Sequence, residues 1–147
     1  MRSNSETQTE RIGEVLGRDI DRGLCICLAG SLGSGKSVMA RGICRGLGVE
    51  ETVISPSFIL YEEYSARLPV VHNDLYRLEH ENEIEALGVF DRLGKDTVIL
   101  VEWGDRSPRL MAMAEIVIRM TIVGESQRKI DFDYDLGVAT VVAELAS

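Results

Sequence analysis

Apolar residues recur at intervals of three and four in several stretches of the chain, which is the spacing of an amphipathic helix. The first such stretch begins near Thr9 and ends before Gly23, and Thr7 and Glu10 at its start have the spacing of a capping box. The residues before it are polar, and we expect residues 1–8 to be flexible. The helices predicted from these patterns cover residues 9–21, 37–45, 79–87 and 138–146.

Short runs of β-branched and aromatic residues lie between these helices and predict strands. The run Thr97 to Val101 is uncharged and β-branched, as expected for a central strand that is covered on both faces. The last two runs are separated by Gly124-Glu125-Ser126 and predict an antiparallel hairpin. The predicted strands cover residues 23–29, 58–64, 68–72, 97–101, 114–123 and 127–134. Since no linker or repeat interrupts the pattern, we predict one mixed α/β domain over residues 1–147.

The composition and net charge of the chain restrict the functions that it could have. With 45% hydrophobic and 27% charged residues, the chain is typical of a soluble globular protein. It has no signal peptide and no membrane-length apolar run, so we expect a cytoplasmic protein without a membrane partner. Cys25, Cys27 and Cys44 fall in predicted buried elements and are interpreted as reduced core thiols. A net charge of −8 opposes direct binding to nucleic acid, so any such role would act through a partner.

The segment Gly30 to Ser37 matches the phosphate-binding pattern G-x-x-x-x-G-K-[ST], and it lies between a predicted strand and a predicted helix, as that motif requires. Gly33 and Gly35 lack a Cβ, so phosphate oxygens can approach the backbone N–H groups of the loop. Lys36 would reach the β- and γ-phosphates, and the Ser37 hydroxyl would bind a Mg²⁺ ion held between them. The sequence therefore predicts a site for Mg²⁺ and ATP.

Two acids lie at the ends of predicted strands and are candidates to bind the metal ion or to orient the attacking water. Glu102 ends the central strand and would lie near the phosphate loop if that strand neighbours Leu24 to Leu28; otherwise it is a solvent-facing acid. Asp74 could bind the metal, orient the attacking water, or simply form a turn after its strand. Arg77 could reach a phosphate or pair with an acid. Trp103 could stack on a base, although a half-buried aromatic at a strand end is the simpler interpretation.

Several blocks together resemble one family. They are Gly30 to Ser37 followed by Arg41-Gly42, then Ser55-Pro56-Ser57-Phe58, His72 to Leu78, and Val101-Glu102-Trp103. Their order and spacing resemble the TsaE (YjeE) family, a bacterial ATPase needed for the threonylcarbamoyl modification of the adenosine beside the anticodon in certain tRNAs. The resemblance covers roughly residues 9–132, and it implies a three-layer P-loop NTPase-like fold whose central sheet mixes parallel and antiparallel strands between helices.

The resemblance also implies roles for individual residues. Lys36, Asp74 and Glu102 would act in catalysis, with Mg²⁺ on Ser37 and Glu102. Thr9 would lie near the nucleotide base, and Arg128 near the same pocket. The phosphates would lie on the loop residues Leu32, Gly33, Ser34, Gly35, Lys36, Ser37 and Val38. The implied partners are the TsaB and TsaD proteins, which the chain would reset by hydrolysing ATP, meeting tRNA only through their complex.

The chain departs from the usual family pattern at three positions. Ser31 stands where an acid is usual, which removes a charge near the phosphates. Ser37 and Ser57 each stand where threonine is common, and both keep the hydroxyl group. We therefore expect metal binding and the contacts of the loop at residues 55–57 to survive these changes.

Two other functions use the same loop. The first is a small kinase that phosphorylates a metabolite, in which Arg106 and Arg109 beside Pro108 would form part of a lid. The second is a binding module that is switched by ATP with negligible turnover. For the ATPase itself we predict slow isolated turnover, because the sequence shows no arginine finger and a partner could supply one.

Overall fold

The computed structural model describes residues 1–55 and 61–143, and a sheet of β-strands lies at its centre. The strands are β1 (Arg2–Ser3), β2 (Cys25–Gly30), β3 (Tyr61–Tyr64), β4 (Val70–Asp74), β5 (Val98–Glu102), β6 (Ile116–Ile122) and β7 (Arg128–Tyr134). The helices are α1 (Glu6–Asp19), α2 (Lys36–Leu47), α3 (Glu81–Ala86), α4 (Pro108–Met113) and α5 (Ala139–Val142). Short 3₁₀ turns occupy Phe90–Arg92, Gly104–Arg106 and Leu136–Val138.

The seven strands follow the order β1-β7-β6-β2-β5-β4-β3. The inner strands β4, β5, β2 and β6 run parallel, while β3, β7 and β1 pair antiparallel at the two sides. The predicted hairpin is the β6–β7 pair, in which Ile116 lies opposite Tyr134. Strand β2 leads into the phosphate loop and lies beside β5, with Leu28 opposite Glu102. Ligands of open α/β sheets bind at this carboxyl edge of the strands.

Alternate residues of the inner strands enter two separate apolar cores. Ile26, Leu28 and Leu100 face α1, α2 and α5, and Cys27, Ile99 and Val101 face the layer that contains α3 and α4. Strands that are buried on both faces are typical of a parallel sheet between helices. The predicted three-layer fold with a mixed sheet is therefore confirmed.

Helices α1 and α2 cross with their backbones in contact. A Cβ built on Gly17 would lie 2.2 Å from the carbonyl oxygen of Ile43, and one on Gly42 would lie 2.2 Å from that of Glu10. Gly13 and Gly46 have similarly close backbone neighbours. Side chains at these positions would push the helices apart, so the glycines fix α1 against the helix that carries Lys36 and Ser37.

The beginning of the chain differs from the prediction. No helix or strand was predicted before Thr9, whereas the structure pairs Arg2–Ser3 with β7 and begins α1 at Glu6. The backbone N–H of Ile130 also donates to the carbonyl of Met1 at 2.8 Å. The helix is capped by Ser5, whose hydroxyl accepts from the N–H of Gln8, so the predicted Thr7–Glu10 capping box is wrong.

Other boundaries shift by a few residues. Strand β4 continues through Asp74, and α3 covers Glu81–Ala86 where residues 79–87 were predicted. The strand predicted over residues 58–64 is seen as Tyr61–Tyr64, and its first residues lie outside the described part of the chain. The last predicted helix is seen as Ala139–Val142, and residues 144–147 also lie outside it.

The three cysteines, Cys25, Cys27 and Cys44, are free thiols and are buried, as predicted. Burial raises the pKa of the Cys44 thiol to about 12. No helix within residues 1–55 and 61–143 has both the length and the apolar character that crossing a bilayer demands.

Candidate functional site

The phosphate loop joins β2 to α2 through glycines in unusual backbone conformations. Gly33 has φ 80° and Gly35 has φ 102°, values in the left-handed region that favours glycine. Gly35 is also the N-cap of α2, which begins at Lys36. A Cβ on Gly30 would lie 2.5 Å from the Ser34 hydroxyl oxygen. The loop therefore requires glycine both for its turns and for its close packing, and it leads directly into a helix N-terminus, where anions are stabilised.

Lys36 is the buried cation of the site, with 5% of its surface exposed. Its Nζ donates to the carbonyl oxygens of Gly30 at 2.7 Å and Ser31 at 2.9 Å. Burial lowers the pKa of this amine, while Glu102, Asp105 and Asp74 act in the opposite direction. The Nζ also lies 3.9 Å from the centroid of the Trp103 ring. Trp103 has φ 59°, which is uncommon for a residue other than glycine and sets the ring against the loop lysine.

Glu102 is only 2% exposed, and each of its carboxylate oxygens has a different neighbour. The Ser37 hydroxyl donates to Oε1 at 2.7 Å, and the Nε2 atom of His72 lies 2.6 Å from Oε2. Glu102 is therefore not a solvent-facing acid. It lies beside the phosphate loop, as expected from the pairing of β5 with β2.

Asp74 lies opposite Glu102 on the neighbouring strand β4 and is 4% exposed. Its Oδ2 accepts from the Ser55 hydroxyl at 2.6 Å, and its Oδ1 accepts from the backbone N–H of Tyr76 at 2.9 Å. The second bond is typical of the turn that was one of the three alternatives predicted for Asp74. The same carboxylate also lines the cavity beside the phosphate loop. Asp74 can therefore form the turn and belong to the site at the same time.

Two adjoining cavities surround the loop. The one of about 460 Å³ lies between the loop and the ends of β4 and β5. Its lining includes Leu32, Gly33, Gly35, Lys36, Ser37, Val38, Asp74, Arg77, Glu102 and Trp103. The other, of about 320 Å³, lies between the loop, α1 and the β6–β7 turn, and its lining includes Thr9, Gly33, Gly35, Val38 and Arg128.

Thr9 and Arg128 approach the loop from different elements. Thr9 is 3% exposed, and its hydroxyl lies 2.6 Å from that of Ser3. Arg128 donates through Nη2 to the carbonyl of Gly33 at 3.1 Å and through Nη1 to that of Gly124 at 3.0 Å. The structure thus brings both residues to the second cavity. Ser34, another predicted loop residue, is fully buried beneath the loop and lies within 3.4 Å of the Lys36 Nζ.

Of the two arginines of the possible kinase lid, Arg106 lies beside the rings of Tyr76 and Trp103, which line the larger cavity, at 5.4 Å and 5.5 Å from their centroids. Arg106 donates to the carbonyl of Leu78 at 3.2 Å, and the Arg109 guanidinium lies 3.9 Å from the centroid of the Phe90 ring. Trp103 is half-buried and has the Tyr76 ring 4.9 Å away, so the simpler interpretation of this tryptophan holds. Ser57 of the loop at residues 55–57 lies outside the described residues.

His72 is the residue that sequence reasoning missed. It begins the block from His72 to Leu78 that carries the family resemblance, but no role was predicted for it. A signal was nevertheless present, since His72 and Asp74 are ionisable residues two apart in one strand and so share one face. Their strand places both side chains on the face that carries Glu102.

The chain is similar to a known protein family over most of its length. The family model described as "Threonylcarbamoyl adenosine biosynthesis protein TsaE" matches residues 3–130. The chain belongs to the TsaE family. The matched segment contains every site residue predicted above, and the resemblance drawn from the sequence is confirmed.

Individual TsaE proteins are similar over most of their length. The tRNA threonylcarbamoyladenosine biosynthesis protein TsaE of Treponema pallidum is 31% identical over 87% of this chain and 95% of its own. The proteins of the same name from Bacillus subtilis and Mycobacterium bovis are 31% and 34% identical, over 89% and 83% of this chain and 82% and 78% of their own. The crystal structure of Bacillus subtilis YdiB aligns with a TM-score of 0.80 at 25% identity, over 99% of this chain and 92% of that one. The family places the chain in tRNA threonylcarbamoyladenosine biosynthesis.

Proposed function

We propose that this chain is a Mg²⁺-dependent ATPase that supports threonylcarbamoylation of the adenosine beside the anticodon of tRNA by binding and resetting a complex of TsaB and TsaD. The observation that carries the proposal is the 2.7 Å hydrogen bond from the Ser37 hydroxyl to Glu102, immediately behind the phosphate loop. It joins the loop residue suited to a cation to the acid that ends the neighbouring strand. A glycine-rich loop that bound no nucleotide would not require this buried acid.

The residues present fit Mg²⁺. This ion prefers oxygen ligands, and in phosphate sites it is held by one or two carboxylates together with the phosphates of the substrate. Ser37 and Glu102 offer a hydroxyl and a carboxylate within one groove. When bound, the cation would neutralise charge on the β- and γ-phosphates.

The remaining roles follow from position. The backbone N–H groups of the loop would hold the phosphates, and Lys36 would place its ammonium group against them. Asp74 would orient the attacking water, because it lines the same groove and is held from behind by Ser55 and the N–H of Tyr76. Thr9 and Arg128 would face the base of the nucleotide in the smaller cavity.

The assignment to partners is supported by charge and by family. The net charge of −8 opposes direct contact with tRNA, so tRNA would be met through the TsaB and TsaD proteins in the cytoplasm. Because the sequence shows no arginine finger, we expect slow turnover without partners. In phosphoryl transfer, an arginine supplied by a partner raises turnover by about 10³–10⁵-fold.

The test measures phosphate release from Mg·ATP by the protein alone and with purified TsaB and TsaD. Lys36→Ala should abolish release. Lys129→Ala is the matched control, because Lys129 is a half-exposed lysine on β7 that pairs with Asp131 at 3.8 Å. Release that increases with the partners and disappears only in Lys36→Ala would support the ATPase.

Two outcomes would contradict it. Transfer of phosphate to a small molecule, without a partner effect, would support the kinase. If Glu102→Ala retained nucleotide-dependent affinity for TsaB and TsaD and supported modification in full, the chain would be a binding module whose turnover is dispensable.

A further inference from the structure

A buried histidine holds the acid of the proposed metal site from behind. His72 is fully buried in β4, opposite Leu100 of β5, and its ring reaches diagonally to Glu102. The Nε2 atom lies 2.6 Å from Oε2, while the other carboxylate oxygen accepts from Ser37. The carboxylate is thus fixed from both ends.

Within residues 1–55 and 61–143, the ring makes no other polar contact that would explain its burial. Its Nδ1 atom has no hydrogen-bond partner among residues 1–55 and 61–143. A hydrogen on Nδ1 would be a buried donor without an acceptor, so the tautomer with its hydrogen on Nε2 fits this environment. In that form, Nε2–H donates to Glu102. Burying a polar ring with one unpaired nitrogen is unfavourable compared with an apolar side chain, so a purely structural role does not account for histidine here.

We propose that His72 is a positioning residue of the ATPase: its Nε2–H holds Oε2 of Glu102 so that Oε1 stays on Ser37, where Mg²⁺ would be held. The inference rests on the proposed function, because it assigns a role within that site. Without the imidazole, the carboxylate would lose one of its two hydrogen bonds and could rotate away from Ser37. Loss of a group that orients a metal-binding residue typically weakens metal affinity or activity about 10–100-fold.

The experiment compares three variants of the full chain. His72→Leu removes the donor and keeps the bulk. His72→Gln places an amide N–H near the position of Nε2, and His72→Asn is equally polar but too short to reach Glu102. Two quantities are measured for each: the Mg²⁺ concentration that half-activates ATP hydrolysis, and the affinity for ADP by calorimetry, with Mg²⁺ and with EDTA.

We expect His72→Leu and His72→Asn to raise the half-activating Mg²⁺ concentration about 10–100-fold and to remove the gain in ADP affinity that Mg²⁺ provides. ADP affinity in EDTA should be unchanged, and His72→Gln should restore most of the Mg²⁺ response. If His72 served folding alone, the variants would be less stable, but they would not lose the Mg²⁺ response while keeping ADP affinity in EDTA. If His72→Leu fails to fold, the Gln and Asn variants decide the matter.

The proposal is overturned if Gln and Asn behave alike, or if folded variants keep the Mg²⁺ response of the wild type. Should the wild type release no phosphate, the proposed function fails, and the role of His72 is judged by ADP binding alone. If Mg²⁺ also leaves ADP binding by the wild type unchanged, there is no cation for Glu102 to hold and this inference fails as well.

Discussion

The two helical layers on either side of the sheet are built differently. One layer pairs α1 and α2, helices of 14 and 12 residues, through glycines that bring their backbones into contact. The other consists of α3 and α4, each of 6 residues, and of short 3₁₀ turns that cover the sheet with separate side chains. In the first layer, two long helices are in backbone contact. The second layer consists of short helices and turns.

The difference matters because the proposed site draws on both sides. Ser37 and Lys36 come from α2, and Thr9 comes from α1. Asp74 and Glu102 end strands whose following segments, with Tyr76 and Trp103, enter the second layer. We infer that the nucleotide groups are held on a rigid unit and that any adjustment near the acids occurs in the second layer. The predictions below test this asymmetry.

The largest loss of stability is expected at the backbone contact between α1 and α2. Gly42→Ala would place a Cβ 2.2 Å from the carbonyl oxygen of Glu10, which cannot rotate away. We expect a loss of about 2–3 kcal/mol in the free energy of unfolding, measured by urea denaturation, as for other overpacked sites. Gly137→Ala is the control, because its Cβ would meet no atom within 4 Å. Equal stability of both variants would show that α1 and α2 are not locked together.

A smaller effect is expected where one arginine joins the ends of both long helices. Arg67 donates to the carbonyls of Ile20 at 2.6 Å, Gly17 at 3.0 Å and Gly46 at 3.3 Å. Arg67→Met should cost about 1–2 kcal/mol in thermal or urea unfolding, since bonds from a charged donor are stronger than neutral ones.

The matched variant lies on the opposite side of the sheet. Arg92 forms an ion pair with Glu63, and their side chains are 44% and 50% exposed. Exposed pairs contribute little, so Arg92→Met should change the free energy of unfolding by less than about 1 kcal/mol. If Arg92→Met proved as costly as Arg67→Met, the contrast between the layers would not hold.

In the second layer, the nearest neighbours of one glycine are side-chain atoms, with a backbone Cα farther away at 3.3 Å. A Cβ on Gly104 would lie 2.7 Å from Cβ and 2.8 Å from Sγ of Cys27. Rotation of the thiol can relieve the contact with Sγ, and the contact with Cβ requires movement of the short turn. Gly104→Ala should therefore cost about 1 kcal/mol in urea unfolding, less than Gly42→Ala. A loss as large as that of Gly42→Ala would indicate that this layer is equally rigid.

Much of this arrangement could be predicted from sequence because local patterns determine it. The phosphate loop is specified by Gly33, Gly35 and Lys36, and the uncharged run before Glu102 identified a central strand. Periodicity also gave the hairpin and the long helices. These features depend on residues close together in the chain, where spacing carries the information.

The parts that were not predicted depend on distant contacts. The strand at Arg2–Ser3 exists because β7 offers a free edge, and nothing in the first residues encodes that edge. The bond from His72 to Glu102 joins residues 30 apart. The glycines of α1 and α2 have the same spacing in both helices, but only the crossing of the helices shows which carbonyls they approach.

The smallest effect at neutral pH concerns Cys44, which lies in α2 at the centre of the rigid layer. Burial raises the pKa of its thiol from 9.0 to about 12. Because the folded state disfavours the thiolate, the stabilising effect is complete below pH 9 and is lost as the pH rises from 9 to 12. Between these values, the wild type should lose about 1.4 kcal/mol of unfolding free energy per pH unit relative to Cys44→Ala. The unfolding free energies of the wild type and of Cys44→Ala are compared by urea denaturation at pH 8, 9 and 10. Cys44→Ala serves as the control, because it shares every other titratable group with the wild type. Parallel pH profiles would mean that water reaches the thiol and that the helix pair opens more readily than its glycines imply.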